Sequence, residues 1–311
     1  MSTAPVVAAV DGSKDSLRAL DWALEAARRR TAPLRVAHAW QYAAWAQPDV
    51  LVAGPPGPDD DPVLDRVRVH LAGRTKGLEV EYTAPVGAPV VVLPELSSTA
   101  QLLVLGSRGR GGFAGLLLGS NSLAAARDAE CPVVVVPRPG RDGGTSHAFR
   151  AAGEHGELPD GPGPRVVVGL HVDSPDEVAL AFAFTEAALL GARLRVIAAY
   201  PWPVTSLAAP GEPIPPTFDQ SAVEHETRTL AEGFLAPHRK AYPDVRCDIA
   251  PLPGDAAGHL VAASGDAVLI VVGRHRRRLL APARMMGSVT QAVLLHAASP
   301  IAVVPPAPPE E

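Results

Sequence analysis

The chain has 311 residues, 47% of them hydrophobic and 20% charged, which is a globular composition with enough length for two domains. Its 28 basic and 33 acidic residues give a formal net charge of −5, which argues against nucleic acid or an anionic membrane as a partner. No apolar run approaches the ~20 residues that span a bilayer, and Cys131 and Cys247 have neither disulfide-framework nor metal-site spacing, so we expect a cytoplasmic protein.

Predicted strands and helices alternate through the first half of the chain. A short apolar run at 5–10 predicts a strand, and Leu17, Leu20 and Leu24 recur at helical spacing within a predicted helix over 14–30. A Pro/Ala/Asp-rich excursion occupies 41–61, and the other predicted elements are strands at 34–40, 78–84, 101–105 and 132–137 and helices at 62–76, 88–99 and 120–129. Because the strands are continuous β-branched runs between helices, they predict a parallel sheet covered by helices on both faces.

The second half repeats the first. Residues 17–40 align without a gap with residues 177–200, and 102-LLVLG-106 and 131-CPVVVVP-137 correspond to 269-LIVVG-273 and 299-SPIAVVP-305. A duplicated domain explains this order better than two unrelated domains do. We therefore predict a first domain at 1–138, a Gly/Pro-rich linker at 139–164, a second domain at 165–305 and a short tail at 306–311.

A glycine-rich loop follows the fourth predicted strand and leads into a helix that begins near Ser120. Glycine lets the backbone approach a ligand closely, and the free N–H groups at a helix N-terminus attract phosphate. The simpler alternatives are a tight turn and a Ser120 side chain that only caps the helix. The loop matches neither the P-loop nor the dinucleotide pattern, and its glycines are Gly106, Gly109, Gly111, Gly112, Gly115 and Gly119.

The spacing Gly106-x2-Gly109-x9-Gly119-Ser120 resembles the nucleotide motif of the ATP-binding branch of the universal stress protein family. The segment 10-VDGS-13 is similar to that family's opening signature, and 131-CPVVVV-136 is similar to its closing strand. The resemblance covers almost the whole chain outside the linker and the tail. It implies an α/β protein of two tandem open parallel sheets, each of strand order 3-2-1-4-5, with helices on both faces, as in adenine-nucleotide alpha hydrolase-like folds.

That strand order makes the first and fourth strands neighbours, so Asp11 and Gly106 meet where ligands bind in open α/β sheets. The resemblance implies that Asp11 accepts hydrogen bonds near the adenine and ribose, whereas Asp11 as a cap for the following helix is the alternative. It implies that the base is lined by Ala9, Val10 and Ala39. The ribose and phosphates of ATP, with any Mg²⁺ arriving on the phosphates, would be held by Gly106, Gly109, Gly119, Ser120 and Asn121, the last standing where the family often has an apolar residue.

The second copy of the motif is degenerate. His171 stands in the place of Asp11, and Arg276 replaces the second glycine, where close backbone approach makes a side chain costly. We therefore expect the second half to bind ATP poorly or not at all. The basic cluster Arg274–Arg278 is either a solvated loop or an anion site for a phosphate, an acidic partner or the neighbouring half.

Other polar residues have simpler interpretations. His38 and His171 are predicted to pack or to form hydrogen bonds rather than to bind a ligand. Asp59–Asp61 precedes Pro62 and is predicted to cap a helix rather than to bind a metal. Cys131 has no base nearby in sequence, so nucleophilic catalysis is not expected.

These features favour an ATP-binding regulatory protein of the stress response, in which the first half holds the nucleotide and the second is a structural or interaction partner. The strands at 132–137 and 300–305 are predicted to pair within the chain, and whole chains to dimerise further. A slow ATPase or phosphoryl-transfer enzyme is an alternative, although the loop has no P-loop lysine and no catalytic base is evident. A nucleotide-free interaction scaffold is the other alternative.

Overall fold

The computed structural model describes residues 4–41, 57–109, 117–140, 163–201, 219–274 and 286–307. In the first half the strands are β1 (Val6–Ala9), β2 (Leu34–Ala37), β3 (Val80–Thr83), β4 (Leu102–Gly106) and β5 (Val133–Val136), and the helices are α1 (Lys14–Arg30), α2 (Pro62–Leu71), α3 (Pro89–Ser97) and α4 (Ser120–Asp128). In the second half the strands are β6 (Arg165–Leu170), β7 (Arg193–Tyr200), β8 (Cys247–Pro253), β9 (Leu269–Gly273) and β10 (Ile301–Val304), and the helices are α5 (Glu177–Leu190), α6 (Gln220–Ala241), α7 (Ala256–Ala263) and α8 (Ser288–His296).

The described strands form one sheet of ten, in the order β3-β2-β1-β4-β5-β10-β9-β6-β7-β8. Each half has the predicted order 3-2-1-4-5 with parallel pairing, which confirms the fold class. The sheets of the two halves are joined into one, because β5 and β10 pair antiparallel with Val133 opposite Val303 and Val135 opposite Ile301.

The core lies on both faces of this sheet. Alternate residues of β1 enter different clusters, Val6 and Ala8 on one face and Val7 on the other, and all three are at most 1% exposed. Val166 and Val168 of β6 join the first cluster, and Val167 joins the second. The continuous apolar runs are therefore strands buried on both faces, as the sequence pattern predicts.

Helix α1 shows why the predicted and observed bounds agree where the capping residues are strong. The Ser13 hydroxyl accepts a hydrogen bond from the Ser16 amide at 3.1 Å, which stabilises the start of the helix. At the other end Thr31 adopts a left-handed conformation, and its amide donates to Ala27 and Arg28 carbonyls. Trp22 and Phe182, which the repeat aligns, are both half-buried against the core.

Two predicted elements end several residues early. The helix predicted over 62–76 ends at Leu71, because Gly73 has a φ of +73° and takes the chain out of the helix. The strand predicted over 34–40 ends at Ala37, and Trp40 forms an isolated parallel bridge to Val86. Helix α4 begins at Ser120, as predicted, with Gly119 as its N-cap, so the alternative that Ser120 only caps the helix is wrong.

Several sequence-based predictions lie outside the described residues. They are most of the linker and of the 41–61 excursion, the three middle loop glycines, most of the basic cluster and the end of the tail. The domain boundaries remain a prediction. Within the described ranges, the helices are all too short or too polar to cross a bilayer.

Candidate functional site

One cavity lies beyond the carboxyl ends of β1, β2 and β4, at the N-terminus of α4. Its volume is about 640 Å³. The structure brings to it every residue that the resemblance implies for a nucleotide site: Ala9, Val10, Asp11, Ala39, Gly106, Gly109, Gly119, Ser120 and Asn121. These residues come from four separate segments, which meet because β1 lies between β2 and β4 in the sheet. That they bind a nucleotide remains a prediction.

Asp11 occupies a tight turn between β1 and α1. Its Oδ1 accepts a hydrogen bond from the Ser13 amide at 2.9 Å, and Gly12 between them has a φ of +77°, which suits glycine. Ser13, not Asp11, is the N-cap of α1, so the alternative that Asp11 caps this helix is wrong. The turn holds the Asp11 carboxylate at the cavity wall.

The three motif glycines are needed for different reasons. A methyl group on Gly106 would lie 2.7 Å from the Asp15 backbone, so this glycine lets α1 pack onto the end of β4. A methyl group on Gly109 would lie 2.6 Å from Oδ2 of Asp11, so this glycine leaves room for the carboxylate. A methyl group on Gly119 would meet only ordinary contacts, the nearest at 3.4 Å from the Ser107 carbonyl oxygen.

The N-terminus of α4 is hydrogen-bonded to the end of β4 and to Ser107, the residue that follows it. The Gly119 amide donates to the Ser107 carbonyl at 2.7 Å, and the Ser122 hydroxyl donates to the Gly106 carbonyl at 2.8 Å. Its N-cap is a glycine, and among the described residues no side-chain hydrogen bond caps the helix. Ser120 and Asn121 line the cavity, so the positive end of the helix dipole lies at its edge and favours an anion there.

Sequence reasoning missed Arg108, which also lines the cavity. Its Nε is buried and has no hydrogen-bond partner among the described residues. A methyl group on Gly119 would lie 3.6 Å from the Cα of Arg108, so this arginine brings a positive charge to the part of the cavity where α4 begins. Arg108 occupies one of the two unspecified positions between Gly106 and Gly109. Its nearness to the motif glycines in sequence was the one sign that it could reach the cavity.

His38 was expected to pack or to form hydrogen bonds, and it does the latter at the cavity wall. Its Nδ1 lies 2.6 Å from Oδ2 of Asp61, which is fully buried. The other oxygen of Asp61 accepts from the Val63 and Leu64 amides at 2.7 and 3.2 Å, which confirms the predicted capping role.

Titratable groups elsewhere offer little for catalysis. Burial raises the pKa of the Cys131 thiol to about 12, so this thiol is protonated at neutral pH and is a poor nucleophile. Burial also raises the pKa of Cys247. Across the described ranges, no three His, Cys, Asp or Glu side chains cluster so as to hold a metal ion.

The second half keeps the scaffold of the site. Helix α8 begins at Ser288 with Gly287 as its N-cap, and the Thr290 hydroxyl donates to the Gly273 carbonyl at 2.9 Å, as Ser122 does to Gly106. His171, in the place of Asp11, was expected to pack or to form hydrogen bonds; it is exposed, so it does not pack in the core.

Arg274 is the described member of the predicted basic cluster, whose other members, His275 to Arg278, lie outside the described residues. Its Nη1 donates to the carbonyl of Ala129 in the first half at 2.6 Å. Arg274 therefore contacts the neighbouring half through a neutral carbonyl, and the cluster as an anion site remains a prediction.

Comparison with known proteins agrees with this architecture. The family model of the Universal stress protein family matches residues 3–137 and 164–305. A universal stress protein of Mycobacterium tuberculosis is 34% identical over 96% of each chain, and one of Mycolicibacterium smegmatis is 30% identical over 97% of each chain. The crystal structure of a universal stress protein from Archaeoglobus fulgidus has the same fold, with a TM-score of 0.60 and 18% identity over 99% of this chain and 98% of that one.

Proposed function

The chain belongs to the universal stress protein family, and from that premise we propose that its first half binds one adenine nucleotide, ATP in particular. The bound nucleotide regulates the protein's interactions in a stress response. The second half, whose motif is degenerate, acts as a structural or interaction partner.

The observation that carries this proposal is the convergence of Asp11 with Gly106, Gly109 and Gly119 on one cavity. The two segments are far apart in sequence and each alone has a simpler explanation as a turn. Their meeting at the point where the connections of β1 and β4 diverge matches the general location of ligands in open α/β sheets. The volume of about 640 Å³ lies in the range of ~300–1,000 Å³ that small ligands occupy.

The distribution of polar groups supports one orientation of the nucleotide. Apolar Ala9 and Ala39 and the backbone of Val10 offer a surface for the adenine, with Asp11 beside it as a hydrogen-bond acceptor for the ribose hydroxyls. The α4 N-terminus and Arg108 lie where positive charge would hold the phosphates. Mg²⁺, if required, would arrive bound to those phosphates, because the cavity offers few carboxylates of its own.

The second half extends the sheet of the first half through the β5–β10 pairing. The antiparallel β5–β10 ladder and the Arg274 contact to Ala129 are consistent with the two halves acting as an intramolecular pseudo-dimer. The strands of this ladder lie between the halves, and the cavity residues lie at the ends of β1, β2 and β4. Association of whole chains into a homodimer remains a part of the proposal that sedimentation can test.

Calorimetric titration of Mg-ATP into the whole chain tests the proposal. We expect about one site per chain, and at least a ~10-fold loss of affinity in Gly109→Ala, because the added methyl displaces the Asp11 carboxylate. Gly233→Ala is the matched control, since it makes the same change at a helix position with nothing within 4 Å.

Each other outcome has a definite meaning. Two sites per chain would show that the second half also binds. Absence of binding by ATP, ADP and AMP would overturn the proposal in favour of a nucleotide-free scaffold. Steady turnover of bound ATP would favour the slow ATPase instead.

A further inference from the structure

A buried ion pair joins the two halves of the chain. The guanidinium Nη2 of Arg30, at the end of α1, pairs with Oε1 of Glu186 in α5. Their side chains are only 9% and 2% exposed. Helices α1 and α5 are in contact with each other, so this pair lies in the interface between the halves and not within either one.

The internal repeat shows that this pair is asymmetric. At the offset of 160 residues that aligns α1 with α5, Glu186 corresponds to Ala26 and Arg30 corresponds to Leu190. Nearby positions of the two helices are alike in both halves, with fully buried alanines at Ala23 and Ala27 in α1 and at Ala183 and Ala187 in α5. One charge of the pair therefore comes from each half, at positions that the repeat does not relate.

We propose that Arg30 and Glu186 make the α1 face of the first half a docking surface for the α5 face of a second half, and that they discriminate against pairing of like halves. The partner that fits the α1 face is thus the second half of this chain. This inference goes beyond the nucleotide proposal and does not depend on it, because no cavity residue takes part.

Pairing of like halves in the same arrangement would leave buried charges without partners. Two first halves would place each Arg30 against Ala26 of the other copy, with no carboxylate available at either position. Two second halves would place each Glu186 against Leu190, with no cation. Removing one partner of a buried ion pair is strongly unfavourable because the remaining charge has lost its water as well as its counter-ion.

The electrostatics of Glu186 agree with this dependence on the partner. Burial raises the pKa of Glu186, and the charge of Arg30 acts against that rise, with a smaller contribution from Arg29. Without the Arg30 guanidinium, the Glu186 carboxylate would lose the largest interaction that offsets its burial. The face of α5 is therefore suited to a helix that carries an arginine and poorly suited to a copy of itself.

A charge-reversal cycle in the whole chain tests the proposal. Arg30→Glu and Glu186→Arg each place two like charges in the interface and should destabilise the folded chain. We expect each to raise the unfolding equilibrium constant about 100-fold or more. The double variant restores an opposite pair, and we expect it to recover to within about 10-fold of the wild type. Arg28→Glu is the matched control on the same helix, because its pair with Glu25 is exposed, and we expect a change of about five-fold or less.

Mixing the two single variants tests the choice of partner as distinct from stability. In an equimolar mixture, the first half of either chain is complementary in charge to the second half of the other. We expect native mass spectrometry to show a two-chain assembly in the mixture and far less of this assembly in either variant alone. The stability of the mixture against unfolding should also return toward that of the wild type. Additive losses in the double variant, or mixed chains that stay separate, would overturn the proposal.

Discussion

The α-carbon of Gly109 lies so close to the carboxylate of Asp11 that an added methyl group would be 2.6 Å from Oδ2. Gly109 and the Asp11 carboxylate are therefore neighbours at the cavity wall. Asp11 is held in turn by the Ser13 amide at 2.9 Å, which limits where its carboxylate can move. A small change at Gly109 should act on the cavity through Asp11 and leave the strands in place.

The motif glycines should separate into folding and binding roles. Gly106→Ala should destabilise the protein by about 2 kcal/mol or more, because its methyl would meet the Asp15 backbone at 2.7 Å and neither can move without shifting α1 or β4. Gly119→Ala should change stability by less than ~1 kcal/mol, since its nearest contact is 3.4 Å away. Urea unfolding compares the two, and equal losses would show that the packing argument is wrong.

Arg108 should contribute to phosphate binding and not to base binding. Arg108→Ala should weaken ATP binding by about 10-fold and leave adenosine binding nearly unchanged, because only the phosphates interact with its charge. Calorimetric titrations with both ligands check this, with the exposed Arg127→Ala as a matched loss of one positive charge. Equal effects on ATP and adenosine would contradict the assigned role.

Among the aspartate N-caps, Asp61 should contribute most to the free energy of unfolding. Asp61→Ala should cost about 2–3 kcal/mol of unfolding free energy, because it uncaps α2 and removes the hydrogen-bond partner of His38 Nδ1. Asp255→Ala removes a comparable cap from α7, where Asp255 accepts from the Ala257 amide at 3.0 Å. Asp255 is exposed, so its loss should cost no more than ~1 kcal/mol. Denaturant titration of both variants measures the difference, and similar costs would argue against the His38–Asp61 pair as a structural element.

Glu186 should make the protein less stable as the pH rises. Its folded pKa is raised by burial, so the folded state binds a proton more tightly than the unfolded state does. The stabilising contribution of the protonated form is complete below the ordinary glutamate pKa and is lost as the pH rises through the folded pKa. The wild type should therefore lose stability relative to Glu186→Gln across this interval, as followed by urea unfolding between about pH 4 and pH 8. A difference of the opposite sign would mean that Arg30 lowers the pKa more than burial raises it.

Cys131 should be protected from thiol reagents in the folded protein. With its pKa raised to about 12, compared with the usual 9.0, the thiolate fraction at pH 8 is about 1,000-fold lower than in an unfolded chain. Reaction with a disulfide reagent should slow by at least that factor on folding, measured in Cys247→Ser so that one thiol remains. Rapid reaction of the native chain would show that Cys131 is accessible.

The sequence by itself determined the order of strands and helices, the duplication and the positions of the motif. These features are local: alternation of β-branched runs with helical periodicity, and glycines at set spacing. Where a strong cap is present, as at Ser13, the helix start could also be predicted. The helix predicted over 62–76 was too long, because Gly73 adopts a positive φ and the chain turns out of the helix there.

Only the tertiary structure decided which distant side chains meet. The contact of Asp11 with Gly109, the His38–Asp61 hydrogen bond and the Arg30–Glu186 ion pair all join segments that are separate in sequence. Arg108 stands at a variable position of the motif, so its place in the cavity could not be predicted from the spacing. The physical reason is that neighbouring strands in the sheet are not neighbours in the chain, so a residue's electrostatic partners depend on the strand order and on how the two halves pack.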